Sequence, residues 1–128
     1  MEPKYPLDKV HAVARDGDVV LGESRARKIV LDLIDCYADA LAFARALLVS
    51  LELEHFQGTI VLDEPPYRGA FDVYVRPLPE PLVARYGLEN VATWYVKLKL
   101  LESDDGGCIT CVSMHPAERP SSKRRGRR

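Results

Sequence analysis

Trp94-Tyr95-Val96-Lys97-Leu98-Lys99-Leu100 alternates apolar and polar side chains without a break. Successive side chains of a strand point to opposite faces, so this period of two predicts a half-buried strand. Trp94, Val96, Leu98 and Leu100 would line its core face, and Tyr95, Lys97 and Lys99 its solvent face. Phe71-Asp72-Val73-Tyr74-Val75-Arg76-Pro77 upstream and Cys108-Ile109-Thr110-Cys111-Val112-Ser113-Met114-His115 downstream have the same character. Asp104-Asp105-Gly106-Gly107 carries the Asp-Gly signal of a hairpin turn. Thr59-Ile60-Val61-Leu62 reads as a first strand, closed by Asp63-Glu64-Pro65-Pro66. The predicted strands are therefore 59–62, 70–76, 93–101 and 108–114, with a turn of helix at Pro81–Tyr86.

The first half reads as helical. Leu7, Val10, His11 and Ala14 recur at helical spacing, which predicts a helix over Pro6–Arg15, stopped by Asp16-Gly17-Asp18. Val19-Val20-Leu21 is a brief strand or an extended lead-in. Ser24 is placed to cap a second helix carrying Ile29, Val30, Leu33 and Ile34. A third helix runs from about Ala40 to Leu51 with a stripe of Leu41, Ala44, Leu47 and Leu48. Asp35 or Tyr37-Ala38-Asp39 separates the two, the alternative being one bent helix over Ser24–Leu51. Helices followed by strands predict an α+β fold: two or three N-terminal helices packed on one face of an antiparallel sheet of four to six strands.

The chain has 128 residues, 47% of them hydrophobic, which is one core's worth. Residues 1–115 are expected to form a single domain and residues 116–128 a disordered basic tail. No apolar run approaches the roughly 20 residues of a membrane span. Met1-Glu2-Pro3-Lys4-Tyr5-Pro6 has no signal-peptide character, and the three cysteines are an odd number. A reducing cytoplasm without disulfides is the expectation. Residues 1–115 carry 12 basic against 18 acidic side chains, and residues 116–128 carry six against one. A nucleic acid would thus meet a local basic patch or the tail, not a basic domain.

Several chemistries are poorly served. Cys108 and Cys111 are three apart in a strand and so lie on opposite faces, unable to share one ion. There is no G-x-S-x-G nucleophile motif, and Gly106-Gly107 leads into no helix that would complete a phosphate loop. Asp104-Asp105 belongs to a turn, and Glu52 and Glu54 to a helix end. No metal and no cofactor are expected. The remaining candidate is the polar sheet face: Asp72, Tyr74 and Arg76 on one strand, Tyr95, Lys97 and Lys99 on the next, Ser113 and His115 on the last. Tyrosine, histidine, lysine and arginine together suit metal-free RNA cleavage. A base takes the proton of the 2′-hydroxyl, an acid protonates the leaving 5′-oxygen, and cations stabilise the phosphorane. An imidazole does either proton transfer near neutrality. His115 would act as base or acid, Tyr95 as acid or positioning group, and Arg76 and Lys97 as phosphate cations. Exposed strand faces also carry Lys, Thr and Tyr for solubility and cross-strand packing, and that plain reading stands beside the catalytic one. His11 and His55 read as partly buried helix residues, and Trp94 as core.

Tyr5-Pro6-Leu7-Asp8-Lys9-Val10, Gly17-Asp18-Val19-Val20, Leu51-Glu52-Leu53-Glu54-His55-Phe56, Asp72-Val73-Tyr74-Val75-Arg76-Pro77, Tyr95-Val96-Lys97-Leu98 and Val112-Ser113-Met114-His115 follow one another over residues 5–115. In order and spacing they resemble the MqsR family, the motility quorum-sensing regulator toxins of bacterial toxin–antitoxin pairs, which are similar in fold to the RelE-type messenger-RNA interferases. His55 stands where the family has an acid, Val75 is inserted in the aspartate-valine-tyrosine-arginine-proline signature, and His115 replaces a closing lysine. The family's lysine after its phenylalanine-tyrosine pair falls at Gly58, and its tryptophan-glutamine pair at Ala70-Phe71. Arg68 is the nearest substitute cation.

The resemblance implies a RelE-like fold and the toxin of a type II toxin–antitoxin system: a cytoplasmic, metal-independent endoribonuclease that cleaves messenger RNA. Tyr95, His115, Arg76 and Lys97 would be catalytic, and Arg68, Tyr74, Lys99, Arg124 and Arg125 would bind RNA. The implied partners are RNA and a cognate antitoxin of the zinc-binding, helix-turn-helix kind, with no membrane. The alternative is a catalytically degenerate relative that contacts an antitoxin or nucleic acid without cleavage. A DNA-binding repressor lacks its helix-turn-helix, because Asp16-Gly17 leads into a strand-like run.

Overall fold

The computed structural model describes residues 2–22, 25–34, 36–63, 68–102 and 106–117. The elements are α1 (Leu7–Asp16), β1 (Asp18–Leu21), α2 (Arg25–Leu33), α3 (Tyr37–Val49), a 3₁₀ turn (Leu53–His55), β2 (Phe56–Leu62), β3 (Gly69–Pro77), α4 (Glu80–Tyr86), β4 (Thr93–Leu101) and β5 (Cys108–Pro116). The fold is α+β, and the five strands lie in the order β1-β5-β4-β3-β2. Ser24, Asp35, Asp104 and Asp105 of the expected hairpin turn, and the tail from residue 118 with Arg124 and Arg125, fall outside the described residues.

The sheet is mixed, which corrects the antiparallel expectation. β2, β3, β4 and β5 pair antiparallel, but β1 runs parallel to β5 with Asp18 against Cys108 and Leu21 against Cys111. Parallel neighbours need a long crossover. Here residues 22–107 intervene between β1 and β5, so no local turn signal announces the pairing. α2 and α3 are separate helices, so of the two readings the two-helix one holds and the single bent helix does not. Tyr37-Ala38-Asp39 opens α3 instead of separating it, because extended Cys36 precedes it and Asp39 sits favourably in its first turn.

One cluster of buried side chains joins helices and sheet. α1 contributes Val10, Val13 and Ala14, and α3 contributes Ala40, Phe43, Ala44, Leu47 and Leu48. They meet Trp94, Val96, Leu98 and Leu100 of β4, Ile109, Cys111 and Met114 of β5, and Tyr74 of β3. Phe43 stands edge-on to Trp94 at 4.9 Å between ring centres, and the Trp94 indole N–H donates to the Val91 carbonyl at 2.7 Å. That pairing satisfies the one polar atom of the largest core side chain. Among the described residues no helix is long and apolar enough to cross a membrane.

Two irregularities set which side chains face outward. In β2 the register passes from Phe56–Tyr74 to Gly58–Val73, leaving Gln57 as an extra residue. Gly58 there has φ 148°, a conformation that favours glycine, so β2 begins at Phe56 and not after Gly58. In β5 the register passes from Leu98–Cys111 to Lys97–Ser113, so Val112 is the extra residue. This bulge resets the alternation. Thr110, Ser113 and His115 then share a face although 110 and 113 differ by an odd number.

Candidate functional site

Directly paired residues of neighbouring strands share a face. Tyr95 pairs with His115, Lys97 with Ser113 and Lys99 with Thr110, all on the face opposite Trp94, Val96 and Leu98. The Tyr95 and His115 rings stack at 5.1 Å with planes 15° apart. The Lys97 ammonium lies 5.9 Å from the centre of the Tyr95 ring. Tyr95, His115 and Lys97 thus converge as the alternation predicts, with the Ser113 hydroxyl beside them. His115 Nδ1 is 2.9 Å from the Pro116 carbonyl oxygen. A carbonyl only accepts, so Nδ1 carries a proton, and in the neutral ring the lone pair is then on Nε2, where a general base needs it.

Further along β4, the Lys99 ammonium donates to the Arg68 carbonyl at 2.8 Å and lies 5.9 Å from the centre of the Phe71 ring. Arg68 enters the site through its main chain; its side chain is exposed.

Arg76 and Tyr74 are not part of this cluster, which corrects their assignment. Arg76 pairs with Trp94 and Tyr74 with Val96, so both project to the helix side. The apolar Phe71, Val73 and Val75 face the lysines instead. Phe71, Asp72, Val73 and Tyr74 are all buried, so neither face of β3 is solvent. The expected rule, polar side out, fails because Asp72 and Arg76 find partners on the helix side, while the Tyr74 hydroxyl is buried there without a hydrogen-bond partner among the described residues. Asp72 accepts the backbone N–H groups of Lys4 at 3.0 Å and Tyr5 at 2.9 Å, and the Thr59 hydroxyl at 2.6 Å. Tyr74 packs its ring on Phe56 at 5.5 Å. Burial first, and then the charge of Asp72, raise the pKa of the Tyr74 hydroxyl, so it stays protonated.

Arg76 belongs to a second polar cluster. Its Nε donates to Ser50 Oγ at 3.2 Å, and a terminal nitrogen sits 3.2 Å from His55 Nε2. His55 is 6% exposed. Its Nδ1 faces the Glu52 backbone N–H at 3.0 Å, and the Glu52 side chain accepts the His55 N–H, closing a reciprocal capping box. A neutral ring has one lone pair, so it serves either the Glu52 N–H or Arg76. Burial lowers the His55 pKa, Arg76 lowers it further, and Glu54 and Glu52 oppose them. Glu52, Glu54 and His55 lie close enough to hold an ion. The chemistry does not fit: the ring's lone pair is taken by the Glu52 N–H or by Arg76, the Glu52 carboxylate is engaged in the turn, and a guanidinium lies against the imidazole. The sequence missed this role of His55, which reads as a helix residue. The Glu52-x-x-His55 spacing of the capping box is its only local signal.

The open face therefore holds an imidazole whose Nδ1 donates to a carbonyl, a phenol stacked on it and an ammonium beside both. Comparison with family models, curated proteins and solved structures finds no match.

Proposed function

We propose that this chain is a metal-independent endoribonuclease and the toxin of a type II toxin–antitoxin pair, acting on messenger RNA in the cytoplasm. The observation that carries the nuclease reading is the stacked Tyr95–His115 pair, with the imidazole proton held at Nδ1 and Lys97 alongside. His115 Nε2 takes the proton of a 2′-hydroxyl, whose oxygen then bonds to the adjacent phosphorus. The P–O5′ bond breaks, and the Tyr95 hydroxyl gives its proton to the departing oxygen. Lys97, with the Ser113 hydroxyl opposite, stabilises the charge that builds on the phosphorane oxygens. The products are a 2′,3′-cyclic phosphate and a 5′-hydroxyl. The toxin assignment and the zinc-binding, helix-turn-helix antitoxin rest on the MqsR-like motifs alone. A small antitoxin gene adjoining this one would support them.

Purified protein is expected to cleave single-stranded RNA in EDTA, and His115→Ala to abolish cleavage. Equal inertness of both proteins on free and ribosome-bound messenger RNA overturns the reading. The placement of Arg76 favours a second one, a binding module without cleavage, because the face keeps one fewer cation than the family pattern implies. RNA bound tightly but left intact by the wild-type protein is its signature.

A further inference from the structure

We propose that β4 is a track for a nucleic-acid single strand, with Lys99 and Thr110 holding the phosphate next to the one held by Lys97 and Ser113. The inference rests on the ribonuclease reading for which phosphate reacts, but its binding geometry stands separately. Register makes the track a repeat. Tyr95 faces His115, then Lys97 faces Ser113, then Lys99 faces Thr110. Each cation is thus matched with a hydroxyl across the ladder, and both groups donate to phosphate oxygens. The bulge at Val112 keeps the second unit on the same face as the first. Along a strand two residues span roughly 7 Å. That span is comparable to the distance between successive phosphates of one nucleic-acid strand.

Lys99 is already positioned for this role. The Arg68 carbonyl fixes its ammonium, Phe71 lies beneath it, and an ammonium has three donors, so one bond does not exhaust it. The β3 neighbours that face Lys97 and Tyr95 are Val73 and Val75, which bring no competing carboxylate. The aromatic pair at the head of the track offers a ring face on which a neighbouring base stacks without sequence preference.

The test uses 2′-deoxy oligonucleotides, which bind but lack the attacking hydroxyl. A dinucleotide carries one phosphate and a trinucleotide two. Wild-type protein is expected to bind the trinucleotide several-fold more tightly. Its log Kd against log salt should be steeper by about 0.7, the value for one further phosphate on a single strand. Lys99→Gln keeps the stem over Phe71 and a donor for the Arg68 carbonyl, and is expected to bind the two oligonucleotides alike. Lys99→Arg restores the difference. The proposal is overturned if wild-type protein gains nothing from the second phosphate, or if Lys99→Gln retains the full gain. Should the ladder behave as stated while ribose RNA stays uncut, the nuclease reading falls and the track remains.

Discussion

Tyr95 and His115 face each other across β4 and β5 with ring centres 5.1 Å apart. The stack fixes the imidazole plane, and the Pro116 carbonyl fixes its proton. Tyr95→Phe preserves the stack and deletes only the hydroxyl. It is expected to lower kcat about 100-fold or more, the usual scale for losing an acid in proton transfer, with KM little changed. Steady-state kinetics on a short RNA reads this. An unaltered kcat would leave Tyr95 as a stacking partner only.

Arg76 is predicted to matter for stability and not for cleavage. Arg76→Ala removes the bond to Ser50 and the contact with His55. A loss of roughly 1–2 kcal/mol in urea unfolding is expected, in the range for a partly exposed charged hydrogen bond. kcat/KM should stay within a few-fold of wild type. A hundred-fold drop would return Arg76 to the reaction.

His55 predicts an acid-sensitive stability. Its folded pKa lies below the ordinary 6.5 because burial and Arg76 disfavour the imidazolium. As pH falls from above 6.5 toward the lowered folded value, the unfolded chain binds the proton first, so stability decreases across that window. Below the folded value both states are protonated and the loss levels off. Tm measured from pH 8 to pH 5 should decline, and His55→Gln should flatten the part of the decline that His55 causes. An identical pH profile for the variant contradicts the assignment.

Asp72→Ala is expected to cost roughly 3 kcal/mol, because it strands the N–H groups of Lys4 and Tyr5 and the Thr59 hydroxyl. Loosening should begin where residues 4 and 5 cross β3, near the bond from the Tyr5 hydroxyl to the Ala70 carbonyl at 2.7 Å. Amide exchange at Lys4 and Tyr5 is the direct readout. Unchanged protection there would count against Asp72 as the anchor.

β4 was fully legible because only one of its faces is core: Trp94, Val96, Leu98 and Leu100 alternate with residues in partial contact with solvent. β3 has the same alternation, but both its faces are covered, so the pattern gives the period and not the direction. Asp72 shows why, since its partners come from Lys4 and Tyr5, 68 and 67 residues away, and no local signal reports them. Tyr95, Lys97 and His115 are readable as one cluster because their strands are consecutive and pair antiparallel. Arg76 was misplaced by the β3 ambiguity. The parallel seating of β1 on β5 was equally hidden, as four residues carry too little pattern to choose a neighbour.

The most direct test is cleavage of a short single-stranded RNA in EDTA by the wild-type protein and by His115→Ala, with the ends of the products identified. The predicted result is cleavage by wild type alone, leaving a 2′,3′-cyclic phosphate and a 5′-hydroxyl. Intact RNA with both proteins, or cleavage by His115→Ala at the wild-type rate, contradicts the account.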